Sequence, residues 1–146
     1  MKKSLLLLLV CLPLAVFMTA CGGSGEGNGE LDDPTLPAEP KIITHFVARD
    51  LIEDGTPLFF VDVRRVDEFE TRHIDGTVNI PLDQTEDPPT IDLGAFPQDK
   101  DAQVLIICRT ENRSMIVAEM LVDAGYTRVY VVTGGVMAWF AFCDRV

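Results

Sequence analysis

The segment from Val104 to Tyr126 constrains the fold of this 146-residue chain more than any other. Four apolar residues, VLII, lead to Cys108, a short polar loop follows, and an amphipathic helical pattern begins near Arg113. A strand–loop–helix unit directs backbone N–H groups and the positive end of the helix dipole at whatever the loop holds. The pattern therefore predicts an α/β domain with a polar loop at the carboxyl end of a parallel strand.

Cys108 has the surroundings of a reactive thiol. Arg109 and Arg113 flank the loop, and their positive charges favour a negatively charged sulfur. Glu111 lies in the same loop: an inward carboxylate would oppose the thiolate and repel anionic substrates, whereas an outward one would have little effect. A buried, inert cysteine is the alternative, but the polar sequence CRTENRS favours a catalytic cysteine.

Strands and helices alternate along the rest of the chain. The hydrophobic patterns predict strands at 42–44, 58–63, 77–80, 104–107 and 129–132, and helices at 46–53, 66–71, 113–124 and 136–142. Residues 83–101 contain three prolines and several acidic residues, and are expected to be mostly irregular. This order predicts an α/β fold with an about five-stranded, mostly parallel sheet and helices on both faces.

Three stretches of the chain resemble the rhodanese (thiosulfate sulfurtransferase) family. Residues 108–114 resemble its active-site loop C-R-x-G-x-R-S, and residues 134–139 resemble its closing G-G-x-x-x-W motif. Residues 62–81 resemble its first signature, D-V-R-x-x-x-E-[FY]-x-x-G-H-I-x-G-[AT]-x-N-[IV]-P. Arg72 and Glu111 stand where the family usually has glycine. The resemblance runs from about residue 41 to the end and implies a rhodanese-like domain over residues 41–146.

The resemblance implies sulfur transfer through a persulfide on Cys108. Four residues separate Cys108 from Arg113, as in the family's loop for a sulfur-sized reactive atom, whereas related phosphatases and arsenate reductases have one more. Cys108 would take sulfur from thiosulfate or a related small anionic donor and pass it to a thiol or cyanide. The residues expected to bind the donor are Arg109, Thr110, Glu111, Asn112, Arg113 and Ser114. The resemblance implies no metal and no organic cofactor.

Two other functions remain open. Some rhodanese-like domains bind a partner or carry sulfane sulfur without turnover, and Glu111 in the loop keeps this alternative open. Phosphate or arsenate chemistry is the second alternative. The complete Cys108, Arg109 and Arg113 set favours the enzyme over the first alternative, and the loop length favours it over the second.

Polar residues outside the loop are interpreted mainly as structural. His73, which lies in the first signature, is expected to have a structural hydrogen-bonding role, with a general base as the alternative, and His45 is expected to be a surface residue. These two histidines have no Cys or Asp spacing suitable for zinc. Asp62 and Arg64 are expected to support the fold, with anion binding by Arg64 as the less favoured alternative, and Trp139 is expected to lie in the core.

The N-terminus is typical of an export signal. Lys2 and Lys3 precede an apolar run that is too short to span a bilayer comfortably, and small residues follow at 19–20. Residues 18–21, MTAC, resemble a bacterial lipobox, which implies a signal peptide over residues 1–20 and acylation of Cys21. Because Gly22 is not the aspartate that signals inner-membrane retention, we expect a lipid anchor in a Gram-negative outer membrane, facing the periplasm, or in the cell membrane of a Gram-positive source.

Residues 21–40 are rich in glycine and acidic residues, and are predicted to be a flexible linker. Loss of residues 1–20 removes two lysines and no acid, which changes the formal net charge from −11 to −13. This charge argues against nucleic acid as a partner and against electrostatic docking to anionic lipid, which leaves the lipid anchor as the expected membrane contact.

Cysteine use in an oxidising compartment raises one further expectation. Cys11 would leave with the signal peptide, so Cys108 and Cys143 would be the thiols of the mature domain. Cys143 is expected to be structural and mostly buried, with a resolving or regulatory thiol as the alternative. An exported sulfurtransferase must keep its thiol reduced or persulfidated, which implies a periplasmic thiol reductant or thiol partner.

Overall fold

The computed structural model describes residues 39–143. The predicted signal peptide, the predicted acylation site Cys21 and nearly all of the predicted linker lie outside the described residues. Within residues 39–143 the strands are β1 (Lys41–Ile43), β2 (Phe59–Asp62), β3 (Val78–Asn79), β4 (Val104–Ile107) and β5 (Val129–Val132). The helices of the same range are α1 (His45–Glu53), α2 (Val66–Thr71), α3 (Asn112–Asp123) and α4 (Gly135–Phe142), with a 3₁₀ turn at Leu93–Ala95.

All five strands of the described chain join one parallel sheet in the order β1-β5-β4-β2-β3. β4 lies at the centre and pairs with β2 from Phe59 opposite Val104 to Asp62 opposite Ile107. Because all strands run in the same direction, their carboxyl ends share one edge of the sheet. The predicted five-stranded parallel architecture is confirmed.

The central strand is buried on both faces, as its unbroken apolar sequence predicts. Alternate side chains of a strand point to opposite faces. Val104 and Ile106 pack in one core cluster with Val117 and Leu121 of α3. On the other face Leu105 and Ile107 pack with Ala48 of α1 and with Val136 and Trp139 of α4. Helices therefore cover both faces, and the expected core position of Trp139 is confirmed.

The connection between β3 and β4 is mostly irregular, as expected, but it is anchored to the domain. Asp83 and Thr90 form an isolated antiparallel bridge. Phe96 is buried, and the hydroxyl of Tyr126 donates a hydrogen bond to the carbonyl of Pro97 at 2.7 Å. These contacts hold the segment against the core on the α3 side.

The prediction that His45 is a surface residue is wrong. Its side chain is buried at the start of α1, with ring centroids 4.2 Å from Phe46 and 5.1 Å from Phe142. The packing of α4 against α1 buries the ring, and a single-sequence pattern does not reveal such a contact.

Among the described residues, no helix is long and apolar enough to cross a membrane.

Candidate active site

Cys108 follows β4 directly, at the carboxyl edge of the sheet and between β2 and β5. It continues the alternation of Val104 and Ile106, and its side chain packs in the core cluster on the α3 face. The thiol therefore faces the beginning of α3, where unpaired N–H groups and the helix dipole favour negative charge. Only 1% of Cys108 is exposed to solvent.

Two groups of the loop approach the sulfur. The backbone N–H of Glu111 donates to Cys108 Sγ at 3.2 Å, and the hydroxyl of Ser114 lies 3.5 Å from the same atom. The Ser114 hydroxyl also lies 2.7 Å from the carbonyl oxygen of Glu111. Because a hydroxyl has one proton, Ser114 donates to only one acceptor at a time, and the carbonyl is the closer. The Glu111 N–H is thus the direct stabiliser of charge on sulfur.

The carboxylate of Glu111 is bound by the turn between β5 and α4. Its Oε2 accepts from Thr133 Oγ1 at 2.7 Å and from the N–H of Gly134 at 3.2 Å. The backbone of Glu111 has φ 133° and ψ −36°, a region that costs a residue with a Cβ about 1–3 kcal/mol. This conformation explains why glycine is the usual residue at the matching position of the family.

Arg113 is paired with Glu68 of α2. Its Nη1 and Nη2 donate to the two carboxylate oxygens at 2.6 and 2.9 Å, and both side chains are largely buried. These hydrogen bonds lower the pKa of Glu68 to about 2. They also raise the pKa of Arg113, and the charge of the nearby Cys108 acts in the same direction. Glu68 therefore determines where the positive charge of Arg113 lies relative to the thiol.

The carboxyl end of β2 carries a buried ion pair. Arg64 donates to both oxygens of Asp62 at 2.7 to 3.0 Å and to the carbonyl of Arg72 at 2.7 Å. The side-chain amide of Asn79 donates to the carbonyls of Asp62 and Arg64. Because the guanidinium of Arg64 is engaged and only 5% exposed, it supports the turn into α2, which carries Glu68. The structural interpretation of Asp62 and Arg64 is the one that this geometry supports.

Helix α4 begins directly against the cysteine. The N–H groups of Val136 and Met137 donate to the carbonyls of Cys108 and Arg109 at 2.8 and 3.2 Å. This close approach requires glycine at 135, because a Cβ there would lie 2.3 Å from the Cys108 carbonyl oxygen. Helices α3 and α4 thus start on opposite sides of the same loop.

The other predicted binding residues lie on the outer surface of the loop. Arg109, Thr110 and Asn112 are exposed, whereas Ser114 is fully buried beneath the sulfur. Arg109 is thus the loop arginine whose side chain is exposed to incoming anions. The donor-binding roles of these residues remain predictions.

Cys143 lies at the far end of α4, half-buried, with Sγ 4.0 Å from the carbonyl of His45. The eight residues of α4 span about 12 Å at 1.5 Å per residue, and the helix starts beside Cys108. A disulfide requires Cα atoms within about 7 Å. Of the two cysteines in the described range, neither is in a disulfide. Cys143 is partly buried and packs against the core cluster that contains Trp139, which agrees with the expected structural role, and the length of α4 separates it from Cys108.

Two supporting interactions were missed by the sequence reasoning. Glu68 was recognised only as part of the first signature, because α2 carries three acidic residues and the sequence does not show which of them faces Arg113. Thr133 and Gly134 had no assigned partner, because no sequence pattern reveals the direction of the Glu111 side chain.

The fold and site together define a parallel α/β domain that presents a thiol in a loop built at a helix N-terminus. A family model described as a rhodanese-like domain matches residues 47–142. The chain belongs to this family.

Curated relatives include much longer sulfurtransferases. The probable adenylyltransferase/sulfurtransferase MoeZ of Mycobacterium tuberculosis is 32% identical over 108 residues, which cover 74% of this chain and 26% of the relative. The adenylyltransferase and sulfurtransferase MOCS3-1 of Zea mays is 29% identical over 90 residues, 61% of this chain and 19% of the relative. The chain thus spans about a quarter or less of these two relatives. Its family and these relatives support sulfur transfer in general terms.

Solved structures include proteins of similar size to the domain. A rhodanese-like domain protein from Staphylococcus aureus superposes with a TM-score of 0.56 at 30% identity, covering 68% of this chain and 90% of that one. The human single-domain sulfurtransferase TSTD1 superposes with a TM-score of 0.57 at 21% identity, covering 73% and 97%. The second similarity concerns the fold alone.

Proposed function

We propose that the protein is a rhodanese-type sulfurtransferase that moves sulfane sulfur from thiosulfate, or a related small anionic donor, to a thiol or cyanide. The observation that carries the proposal is the position of Cys108 Sγ at the carboxyl end of β4, with the Glu111 N–H 3.2 Å away. The thiol lies where backbone dipoles favour negative charge, as a nucleophile that becomes a persulfide requires.

In the first step the Cys108 thiolate attacks the outer sulfur of thiosulfate. A bond forms between Sγ and that sulfur, the sulfur–sulfur bond of the donor breaks, and sulfite leaves with the bonding electrons. The Glu111 N–H and the start of α3 stabilise the negative charge on the persulfide. Arg109, exposed at the loop surface, attracts the anionic end of the donor, and the charge of Arg113 is held beside the site by Glu68.

In the second step the acceptor attacks the outer sulfur of the persulfide. When the acceptor is cyanide, a carbon–sulfur bond forms and the bond between the outer sulfur and Sγ breaks. Thiocyanate leaves, and Sγ keeps the bonding electrons as the Cys108 thiolate. Because the resting thiol is only 1% exposed, the site favours a narrow donor sulfur that enters between the exposed side chains of the loop. This chemistry needs no metal ion or organic cofactor.

Steady-state kinetics test the two-step mechanism. Thiocyanate formation measured against both thiosulfate and cyanide should give parallel double-reciprocal lines, the pattern of a covalent intermediate. Cys108→Ser should abolish the activity, and Cys143→Ser, at the far end of α4, should retain it. Equal activity of wild type and Cys108→Ser would reject the proposal.

The near-complete burial of Cys108 also favours a second candidate, a sulfur-carrier or binding module without useful turnover. In that case the persulfide forms once but cyanide and small thiols remove its sulfur slowly. A single-turnover measurement of the second step separates the candidates, since the enzyme requires sulfur release at least as fast as steady-state turnover.

The proposal extends to the location of the protein. The chain is exported and anchored by acyl groups on Cys21. In a Gram-negative cell the anchor lies in the outer membrane and the domain faces the periplasm, where a thiol partner keeps Cys108 reduced; in a Gram-positive cell the anchor lies in the cell membrane. The lipobox-like sequence of residues 18–21 and the Gly-rich sequence after it support this location. Cells grown with an alkyne fatty acid should label the wild-type chain and Cys108→Ser but not Cys21→Ala. Labelling of Cys21→Ala would contradict the assignment.

A further inference from the structure

Glu111 combines backbone strain with a direct contact to the nucleophile. Among the described residues it is the only non-glycine residue with a positive φ. The same strained residue supplies the N–H that donates to Cys108 Sγ. A relaxation of φ would turn this N–H, since φ is the rotation about the bond from the amide nitrogen to Cα. The geometry at sulfur therefore depends on whatever holds Glu111 in this conformation.

The side chain of Glu111 provides that restraint. We call the Glu111 carboxylate, together with Thr133 Oγ1 and the Gly134 N–H, the Glu111 latch. Thr133 and Gly134 immediately precede α4, whose first turn already binds the carbonyls of Cys108 and Arg109. The latch thus connects the start of α3 to the start of α4 across the loop, and the dipole of α4 favours the carboxylate charge at this end.

We propose that Glu111 is a positioning residue whose latch to Thr133 and Gly134 holds the strained backbone that aims the Glu111 N–H at the sulfur of Cys108. Glycine would adopt the same φ without cost, because it has no Cβ. Glu111 reaches the same loop geometry by a different physical route, in which two hydrogen bonds offset the strain. The inference rests on the proposed role of Cys108 as the nucleophile.

The proposal predicts how fast the Cys108 thiol of each Glu111 variant is alkylated. The order depends on whether the variant has a Cβ and whether it keeps the hydrogen bonds of the latch. Glu111→Gln keeps an oxygen that can accept both bonds, and should react within about twofold of wild type. Glu111→Gly loses the latch but also the strain, and should stay within about threefold. Glu111→Ala keeps the Cβ and loses the latch, and should react about tenfold more slowly, equivalent to about 1.4 kcal/mol.

Thr133 provides an independent test on the other side of the latch. Thr133→Val removes the hydroxyl with little change in volume. It should slow the alkylation of Cys108 by about threefold, since one of the two hydrogen bonds of the latch remains. Thr133→Ser keeps the hydroxyl and should restore the wild-type rate. This pair leaves the charge of Glu111 in place.

The reactivity is measured as the rate of iodoacetamide alkylation at Cys108 in the full chain, followed by peptide mass spectrometry. Urea unfolding of each variant is measured in parallel. A residue that only stabilises the fold would change the urea midpoint and leave the alkylation rate of the folded protein unchanged. That result for both Glu111→Ala and Thr133→Val would overturn the proposal.

Loss of reactivity in Glu111→Gln equal to that in Glu111→Ala would also overturn it, because charge and not the latch would then be decisive. If Glu111→Ala does not fold, the Thr133→Val and Thr133→Ser pair decides. Alkylation needs no sulfur donor, so its result is independent of whether thiosulfate forms a persulfide. Failure of the latch and failure of the proposed sulfur transfer are therefore distinguishable.

Discussion

The carboxylate of Glu68 receives two hydrogen bonds from the guanidinium of Arg113, at 2.6 and 2.9 Å, across 45 positions of sequence. This ion pair joins α2 to the first turn of α3, beside the cysteine. It places a signature residue of one motif against a signature residue of another. The positive charge of Arg113, in the first turn of α3, is therefore fixed by an ion pair within the domain. The side chain of Arg109, in contrast, is exposed.

Glu68→Gln should lower the free energy of unfolding by about 2 kcal/mol, because the charged hydrogen bonds to Arg113 weaken in a largely buried site. The measurement is urea unfolding at pH 7. Glu70→Gln, an exposed position on the same helix, is the matched control and should change stability by less than about 0.5 kcal/mol. Equal effects of the two substitutions would show that the pair contributes nothing specific.

The same ion pair predicts a pH dependence. The pKa of Glu68 falls from an ordinary 4.5 to about 2 in the folded protein, mainly through its hydrogen bonds with Arg113. A depressed carboxylate pKa contributes stability that is complete above about pH 4.5 and is lost as the pH falls towards about 2.

The stability difference between wild type and Glu68→Gln should therefore be constant from pH 7 to about pH 5 and shrink below about pH 4.5. Urea midpoints measured at intervals down to about pH 3 test this, provided that both proteins remain folded. A difference that is unchanged over the whole range would contradict the assigned pKa.

Asp62→Asn should destabilise the domain far more than the loss of a surface charge. It leaves the guanidinium of Arg64 buried without its counter-charge, a change that typically costs about 3–5 kcal/mol. Asp67→Asn, which removes one of the partners of the exposed Arg65, should lower the melting temperature far less, because solvent screens this pair. Thermal unfolding compares the two, and a similar melting temperature for both variants would refute the structural role of Asp62.

Gly135→Ala should impair both folding and the site. The added Cβ would lie 2.3 Å from the carbonyl oxygen of Cys108, so α4 must move away from the loop. Gly55→Ala is the control, since Gly55 also has a positive φ but has nothing within 4 Å of the added Cβ. Gly55→Ala should cost about 1 kcal/mol, and Gly135→Ala about 1–3 kcal/mol more. The test is urea unfolding combined with alkylation of Cys108, and equal behaviour of the two variants would contradict the proposed close packing.

The sequence predicted the sheet well because burial leaves a simple pattern. VLII at 104–107 is short, continuous and apolar, and such a run between polar segments is typical of a central parallel strand. The edge strand β3 is shorter than the predicted 77–80, because it pairs with β2 only over Val78 and Asn79. The length of an edge strand depends on how far it pairs with its neighbour, and the residues of the edge strand alone do not predict this.

The cysteine and its loop were also predictable, whereas the partners of the loop side chains were not. Cys108 and Arg113 are close in sequence and belong to one strand–loop–helix unit. The partners of Glu111 and Arg113 come from β5–α4 and α2, and only the packed fold brings them to the loop. The burial of His45 was missed for the same reason, since Phe142, which packs on its ring, is distant from it in sequence.

The most direct test of the account is the intact mass of the reduced protein after incubation with thiosulfate, followed by addition of cyanide. The account predicts a gain of about 32 Da, one sulfur atom, located at Cys108 and lost as thiocyanate forms. Cys108→Ser should show no gain, and Cys143→Ser should behave as wild type. A folded protein whose Cys108 can be alkylated but that gains no sulfur from thiosulfate or a polysulfide would contradict sulfur transfer.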